Sequence, residues 1–305
     1  MSVDRQGAVS VIVTTRNSGQ TLEACLDSIR RQTYAATELV VVDNHSSDRT
    51  LEIANRFADK VATIGPERSA QRNHGASIAS GVLLLFIDAD MVLDHEVVAE
   101  GARMLGAGTV PAVVIPEETV GEGFWTACRA LERGCYNGDD TIEAARFYSR
   151  AAFAEAGGFD IHLNGGEDWD LSRRVARGRR LPRTRAIIHH DEGRTRLRTV
   201  YKKRRYYAPG YLAFARKHGR GAMAQGNPIF RAAYVRNWRT LARHPLLTAG
   251  MFTLKAVELA AILDVAADTK FRGGVRDRSN EVYAVVDDRE PTRITAATGS
   301  ASRRR

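Results

Sequence analysis

The sequence predicts an α/β fold in which helices flank a mostly parallel sheet and a helical extension follows at the C-terminal end. Three observations support this prediction. Apolar runs alternate with helical patterns over the first half of the chain, the run 82–87 ends in two carboxylates, and the last third is basic and then strongly apolar. Repeated strand–helix–strand units imply parallel strands joined by right-handed crossovers. The carboxyl ends of such strands meet at one sheet edge, where open α/β sheets bind ligands.

Each element of the first half has a local signal. The strands are short runs rich in Val, Ile and Leu, and the helices repeat apolar residues at helical spacing, with Ser18 as the N-cap of the first. The predicted strands are 9–14, 38–43, 61–64, 82–87 and 110–115. The predicted helices are 18–31, 47–57 and 69–79.

The second half of the chain is less regular. We predict partly helical structure over 121–146, a short strand and then a helix over 147–158, and a helix over 167–177. A short strand is predicted at 186–189, a basic, aromatic helix at 197–218, an apolar segment at 245–265 and a disordered tail from 272.

Charge and cysteine content limit the classes of function. The formal net charge of the 305 residues is +9, and Lys and Arg are dense between 173 and 217. This asymmetry indicates an anionic partner, which the sequence leaves open as phosphate, acidic lipid or nucleic acid. Three scattered cysteines argue against a disulfide framework or a zinc site and favour a reducing compartment. Residues 1–9 lack a long apolar core, so we expect no secretory signal.

Asp88 and Asp90 follow directly on the apolar run 82–87. In an extended chain alternate residues point the same way, so both carboxylates can face one point, where their charges repel unless a cation lies between them. Carboxylate oxygens suit Mg²⁺ or Mn²⁺, which usually share their coordination shell with substrate phosphates. The alternative for such a short motif is a solvated turn.

Other polar side chains follow the neighbouring strands and are expected at the same edge of the sheet. Thr14 and Asp43 end the first two strands, and Arg72 lies in the helix that precedes the apolar run 82–87. Taken singly, Asp43 is explained as a turn cap, Ser46 or Ser47 as a helix cap, and Arg72 as a surface charge. Together with the two aspartates they describe a site for a nucleotide diphosphate.

The motifs resemble those of a known family. Val-Val-Val-Asp-Asn-His-Ser-Ser-Asp-Arg-Thr at 40–50, Arg-Ser-Ala-Gln-Arg-Asn-His-Gly-Ala at 68–76 and Leu-Phe-Ile-Asp-Ala-Asp at 85–90 are similar to the nucleotide-binding half of inverting family 2 glycosyltransferases with the GT-A fold. Gly-Gly-Phe-Asp at 157–160 and Gly-Glu-Asp-Trp-Asp-Leu at 166–171 resemble the acceptor-side motifs of that family. The resemblance covers about 9–190.

The resemblance implies roles for individual residues. Asp43 would contact the nucleobase, and Thr14 and Arg72 would line the nucleotide pocket. Asp88 and the metal-bridged Asp90 would hold the diphosphate, with Mn²⁺ or Mg²⁺ as cofactor. A nucleotide-sugar is then the donor.

Asp168 would be the base that deprotonates the acceptor hydroxyl, with Glu167 as the second candidate. The other explanation for both is favourable charge in the first turn of a helix. Trp169 is either an acceptor platform or a core indole. His189 or His190 would complete the metal shell, or either is a hydrogen-bonded structural histidine.

One departure from the family pattern bears on the product. Processive synthases of the family carry Gln-x-x-Arg-Trp after the Glu-Asp element, and here Leu-Ser-Arg-Arg follows at 171–174. We therefore expect transfer of a single sugar to a hydroxyl group on a sugar or lipid-linked acceptor. Two alternatives remain: a sugar nucleotidyltransferase, although the Gly-rich basic loop of that class is missing after the first strand, and a nucleic-acid-binding module in the basic third, which leaves the carboxylates without a role.

We divide the chain into a GT-A catalytic domain at 1–195, a helical extension at 196–270 and a tail at 271–305. The segment 245–263 is about long enough to span a bilayer, but it contains Lys255 and Glu258, which can pair at this spacing. A buried or membrane-surface helix is therefore favoured over a spanning one. We expect a cytoplasmic enzyme that attaches peripherally to an anionic surface on the inner face of the membrane.

Overall fold

The structure, a computed structural model, describes residues 7–219 and 231–272. Its central sheet has the strand order β3-β2-β1-β4-β8-β6, and only β8 runs against the others. The mostly parallel sheet is thus confirmed. The strands of this sheet are β1 (Val9–Thr15), β2 (Thr37–Asp43), β3 (Lys60–Thr63), β4 (Leu83–Asp88), β6 (Ala112–Val114) and β8 (Ala145–Ser149).

Helices cover both faces of the sheet and form the C-terminal region. Those of the first part are α1 (Leu22–Arg30), α2 (Thr50–Phe57), α3 (Arg68–Ile78), α4 (Val97–Gly106), α5 (Phe124–Gly134), α6 (Arg150–Glu155) and α7 (Glu167–Ala176). They are followed by α8 (Leu197–His218), α9 (Ala232–Arg236), α10 (Trp238–Arg243) and α11 (Pro245–Arg272).

A second, three-stranded sheet lies at the carboxyl end of β4. It consists of β5 (Met91–Leu93), β9 (Ile188–Arg194) and β7 (Glu117–Glu122), in that order. Of these three strands the sequence predicted only part of β9. It did not predict β5, which is very short, or β7, which is mostly polar. This sheet matters because it places His190 opposite Met91, next to the turn that contains Asp90.

The first two helices begin later than predicted, for a common reason. Helix α1 begins at Leu22 rather than near Ser18, whose backbone N–H donates to Thr50 Oγ1 at 2.7 Å. Gly19 N–H donates to Asp48 Oδ2 at 2.9 Å. Helix α2 accordingly begins at Thr50 rather than at 47. Residues 18–21 and 44–49 are therefore loops tied to each other at the edge of the sheet.

Alternate residues of the central strands build two hydrophobic cores. Val11 and Val13 of β1 belong to the core under α1, α2 and α4, whereas Ile12 belongs to the core under α3, α6 and α7. Because both faces are covered, β1 is buried along its whole length. The continuous apolar strands that the sequence shows follow from this arrangement.

The apolar segment 245–265 is part of α11, which packs against α5 and α8. Lys255 and Glu258 are almost completely buried, and Lys255 Nζ lies 2.8 Å from Glu258 Oε2. The predicted pair is confirmed, within a larger group that we call the C-terminal ion cluster. Its members are Arg129, Glu132, Arg204, Lys255 and Glu258. The predicted tail from 272 onward lies almost entirely outside the described residues.

Helix α3 approaches the sheet closely at Gly75, and this contact is testable. A Cβ atom there would lie 2.4 Å from Ile12 Cγ2 and 3.1 Å from Val42 Cγ2. We expect Gly75→Ala to lower the free energy of unfolding by about 1–3 kcal/mol, the usual cost of overpacking a core, as measured by urea denaturation.

Gly134, at the end of α5, is the matched control. A Cβ atom at Gly134 meets no atom of the described residues within 4 Å. Gly134→Ala should leave stability unchanged or raise it by about 0.5–1 kcal/mol. Equal stability of the two variants would contradict the close packing of α3.

Candidate active site

A cavity of about 990 Å³ opens at the carboxyl ends of β1 and β4. The helical starts of α3 and α7, strand β9 and helix α8 complete its wall. Of the predicted site residues, it is lined by Thr14, Asp88, Asp90, Glu167, Asp168 and His190. The convergence of these elements on one sheet edge, expected from the parallel topology, is what the structure shows.

Arg72 joins the two halves of the site. Its guanidinium Nη2 donates to Asp88 Oδ1 at 2.8 Å, and Nη1 donates to Asp168 Oδ1 at 2.7 Å. The Arg72 side chain is 0% exposed, and the Phe159 ring packs 5.0 Å from its central carbon. We expected Arg72 to line the nucleotide pocket; instead it is buried behind the cavity wall, because two carboxylates and an aromatic ring enclose it.

Asp88 is held by a second arginine that the sequence did not indicate. Arg146 of β8 lies 3.5 Å from Asp88 Oδ2 and donates through Nε to Glu117 Oε1 at 2.6 Å. Burial alone would raise the pKa of Asp88, but the positive charges of Arg72 and Arg146 lower it well below its ordinary value. Asp88 is therefore ionised, and each of its two carboxylate oxygens contacts an arginine.

Asp90 faces a different partner. It lies in the turn after β4, and its Oδ1 is 3.4 Å from His190 Nε2. His189 points elsewhere, with Nε2 3.1 Å from Asp94 Oδ1. Neighbouring residues of β9 alternate in direction, so of the two histidines only His190 lines the cavity. Residues 89–90 form a turn rather than an extended chain, yet both Asp88 and Asp90 line the cavity.

The pair of Asp90 and His190 fits a divalent cation. Two ligand atoms 3.4 Å apart match neighbouring positions around an ion bound at about 2.0–2.2 Å. Burial would lower the pKa of His190, but the charge of Asp90 and hydrogen bonds to Asp90 and Glu117 raise it to about 9, so a bound ion would replace a proton that His190 otherwise carries. Over the described ranges, no three His, Cys, Asp or Glu side chains gather in metal-binding geometry. Such an ion would thus depend on oxygens from a bound ligand or water.

Glu167 and Asp168 begin α7 but differ in surroundings. Glu167 accepts from Arg68 Nη2 at 2.6 Å, and its side chain is 3% exposed. The Asp168 side chain is 28% exposed, and the described residues form no hydrogen bond to its Oδ2. Burial raises the pKa of Asp168, the nearby Arg72 opposes this, and the net shift is upward. Of the two carboxylates, Asp168 is the one available to a ligand.

Asp43 organises the loop after β2. It is fully buried and accepts from Thr15 Oγ1 and from Ser46 N–H, both at 2.8 Å. Asn17 N–H donates to Ser46 Oγ, and Asn17 Oδ1 accepts from Ser47 N–H. These bonds join the loops after β1 and β2. The expected contact of Asp43 with a nucleobase would therefore require its present hydrogen bonds to rearrange.

Aromatic side chains form the wall beside Asp168. Trp169 Nε1–H donates to the Ile142 carbonyl at 2.7 Å, and its ring lies 5.8 Å from the ring of Tyr211. Tyr207 packs under the guanidinium of Arg68 at 5.5 Å. Trp169 is half-buried and lines the cavity, so it is more than a core residue. Part of the basic, aromatic segment 197–218 therefore lines the cavity.

Known proteins resemble this chain in sequence. The family described as Glycosyl transferase family 2 matches residues 10–158. Over 177 residues the chain is 33% identical to a PGL/p-HBAD biosynthesis glycosyltransferase of Mycobacterium tuberculosis, covering 54% of this chain and 68% of that relative. It is 36% identical over 91 residues to glycosyltransferase AglE of Haloferax volcanii, covering 27% of this chain and 30% of AglE.

Solved structures share the fold. The mannosyltransferase PcManGT from Pyrobaculum calidifontis, in complex with GDP-Man and Mn²⁺, aligns with a TM-score of 0.59 and 20% identity over 86% of this chain and 88% of its own. TarS 1-349 of S. aureus, in complex with UDP-GlcNAc, aligns with a TM-score of 0.52 and 18% identity over 86% and 91%.

Fold and sequence together define a glycosyltransferase with the GT-A fold. The chain belongs to glycosyltransferase family 2. Family membership favours a glycosyltransferase over a nucleic-acid-binding module. It also favours glycosyl transfer over synthesis of the nucleotide-sugar.

The Arg72 bridge leads to a prediction about catalysis. Arg72→Lys keeps the charge but cannot donate to Asp88 and Asp168 in the same fork geometry. We expect kcat to fall by about a hundredfold through misplacement of the carboxylates, with a much smaller change in the donor KM, as measured by steady-state glycosyl transfer.

Arg72→Gln is the companion variant. Because it leaves buried carboxylates uncompensated, it should also lower the free energy of unfolding by about 3–5 kcal/mol. A stable Arg72→Lys enzyme with the parent kcat would show that the bridge has no part in turnover.

Proposed function

We propose that the protein is a metal-dependent, inverting glycosyltransferase. It transfers a single sugar from a nucleotide-sugar donor to a hydroxyl group of a sugar or lipid-linked acceptor. The observation that carries this proposal is the partly open carboxylate of Asp168 in the same cavity as Asp88 and Asp90. Two solved neighbours of the same fold were determined with nucleotide-sugars, which supports the donor class.

In the proposed reaction Asp168 takes the proton of the acceptor hydroxyl. The hydroxyl oxygen forms a bond to the anomeric carbon while the bond from that carbon to the diphosphate oxygen breaks. The sugar is thereby transferred with inversion, and the nucleoside diphosphate leaves. A raised pKa suits Asp168 to this work, because a base is most effective when its pKa approaches the working pH.

On the donor side, Thr14 and the loops after β1 and β2 would bind the nucleotide, with Asp43 reaching the base once its hydrogen bonds rearrange. Asp90 and His190 are the side chains that would hold the divalent ion, while Asp88 stays with Arg72 and Arg146. When bound, such an ion supplies charge compensation on the departing diphosphate. PcManGT, a neighbour in fold, was solved with Mn²⁺.

On the acceptor side, Trp169, Tyr207 and Tyr211 offer aromatic faces on which a sugar or aromatic ring can stack. These aromatic residues and Asp168 line the same cavity. This supports an acceptor whose ring stacks on the aromatic side chains while its hydroxyl group reacts at Asp168. We further propose that the enzyme works in the cytoplasm at the inner face of the membrane, where a lipid-linked acceptor would lie.

Asp168→Asn removes the proton acceptor and preserves its size. We expect kcat to fall by roughly 10²–10⁴-fold with donor affinity little changed, as measured by product formation and donor titration. In the parent enzyme, activity should be lost as the pH falls through the pKa of Asp168. Since that pKa is raised, the loss should occur above the range of an ordinary aspartate.

Glu167→Gln is the control for this prediction. Glu167 is buried against Arg68, so this change should affect stability more than kcat. A near-normal kcat in Asp168→Asn, together with a large loss in Glu167→Gln, would transfer the catalytic role to Glu167.

The metal and donor assignments are tested together by thermal shift. UDP-, GDP- and dTDP-sugars are screened with and without Mn²⁺, and the preferred donor is expected to raise Tm further when Mn²⁺ is present. His190→Ala and Asp90→Ala should lose this Mn²⁺-dependent increment because they remove the proposed ligands.

His189→Ala is the matched control, since His189 pairs with Asp94 away from the cavity. It should keep the increment. Full turnover in excess EDTA, or an unchanged increment in His190→Ala, would refute the metal site.

A further inference from the structure

Helix α11 has the opposite distribution of charge from a typical surface helix: its charged residues face the protein, and its exposed residues are uncharged. Its charged residues Lys255 and Glu258 are almost completely buried, and Asp264, whose side chain is 37% exposed, pairs with Arg205 of α8. The exposed positions between 245 and 267, in contrast, carry no charge. They are Pro245, Leu246, Ala249, Phe252, Thr253, Ala256, Ala260, Leu263, Ala266 and Ala267.

This uncharged face, which we call the outer face of α11, is long and continuous. The 23 residues from 245 to 267 extend about 34 Å along the helix at ~1.5 Å per residue. Leu246 is 77% exposed and Leu263 is 59% exposed, so large apolar side chains stand at both ends. An apolar surface of this extent marks a contact with lipid or with another protein.

The opposite side of the helix excludes a position across the bilayer. Glu258 contacts Arg129 of α5 and Arg204 of α8, and Arg205 also reaches Asp268. Charged residues of α5 and α8 therefore contact α11 between residues 255 and 268. Pro245–Asp268 is long and apolar enough to span a membrane. One side of the helix, however, carries the ion pairs with α5 and α8, and these could not face lipid. The helix fits a position in the plane of the membrane surface.

Charge around the outer face favours an anionic membrane. The sequence from 231 to 257 contains no Asp or Glu. Arg239 and Arg243 are exposed on α10 next to exposed Trp238, whose ring packs 5.6 Å from the guanidinium carbon of Arg239. Basic residues with an indole beside an apolar face are the combination that binds the head groups and upper acyl region of acidic lipids.

We propose that the outer face of α11, together with the exposed arginines of α10 that directly precede this helix, docks the enzyme on the surface of an anionic lipid bilayer. Glu258 and Arg204 line the active-site cavity on the other side of the same helix. The bilayer and the acceptor side of the cavity would then be separated by about one helix diameter, ~10 Å. This inference rests on the proposed function in one respect. If the protein is a glycosyltransferase, docking on the bilayer makes a membrane-borne molecule its acceptor.

The test is co-sedimentation of the full chain with vesicles of phosphatidylcholine containing about one-third phosphatidylglycerol, compared with phosphatidylcholine alone. We expect binding to the anionic vesicles and weaker binding to the neutral ones. Leu246→Ser/Leu263→Ser should lower the ratio of bound to free protein by about tenfold or more, because two exposed apolar side chains no longer enter the lipid. R239E/R243E should reduce binding to the anionic vesicles specifically.

Val82→Ser/Ile161→Ser is the matched control, since both side chains are more than half exposed and lie outside α10 and α11. It should bind vesicles like the parent. Equal binding by the Leu246/Leu263 variant and this control overturns the proposal, as does absence of vesicle binding by the parent chain. A dimer in lipid-free solution that the Leu246/Leu263 variant abolishes would assign the face to a second copy instead.

Resistance of membrane-bound protein to alkaline carbonate would indicate a spanning helix and also overturn the proposal. The Mn²⁺-dependent thermal shift with the donor separates this inference from the proposed function. Retained donor binding without vesicle binding refutes the docking face alone, and vesicle binding without any donor response refutes the enzyme assignment alone.

Discussion

The active site depends on a buried arginine between two carboxylates. Arg72 has no exposure to solvent, and it holds Asp88 from the end of β4 and Asp168 from the start of α7. Transferring three such charges from water is expensive unless each finds a partner in good geometry. The bridge therefore links the end of β4 to the start of α7 through one side chain.

Other charges extend this arrangement around the cavity. Arg146 connects Asp88 to Glu117, and Arg133 also contacts Glu117, at 2.7 Å. His190 lies between Glu117 and Asp90, so the second sheet takes part in the same network. Asp168 stands at its margin, where one carboxylate oxygen is engaged and the side chain remains partly open. The network thus engages most of the charged groups around the cavity and leaves the Asp168 side chain partly exposed.

The sequence predicted those parts of the molecule that have local signals. Apolar runs followed by Asp43 and Asp88 indicate buried strands with polar ends, and parallel topology brings such ends together. It did not indicate Arg146 or Glu117, which lie in short or mostly polar strands and acquire their roles by pairing with distant elements. The burial of Arg72 was missed for the same reason, since one of its partners is 96 residues away.

The C-terminal ion cluster has a consequence for the modularity of the chain. Arg129, Glu132 and Arg204 belong to helices that wall the cavity, and their counter-charges come from Lys255 and Glu258 of α11. A chain ended before Pro245 would remove the charged partner of Arg204 and, among the described residues, would leave Arg129 and Glu132 paired only with each other, at 3.6 Å. The last helix therefore supplies part of the charge balance of the cavity wall, although it lies more than 150 residues beyond the strands on which the cavity opens.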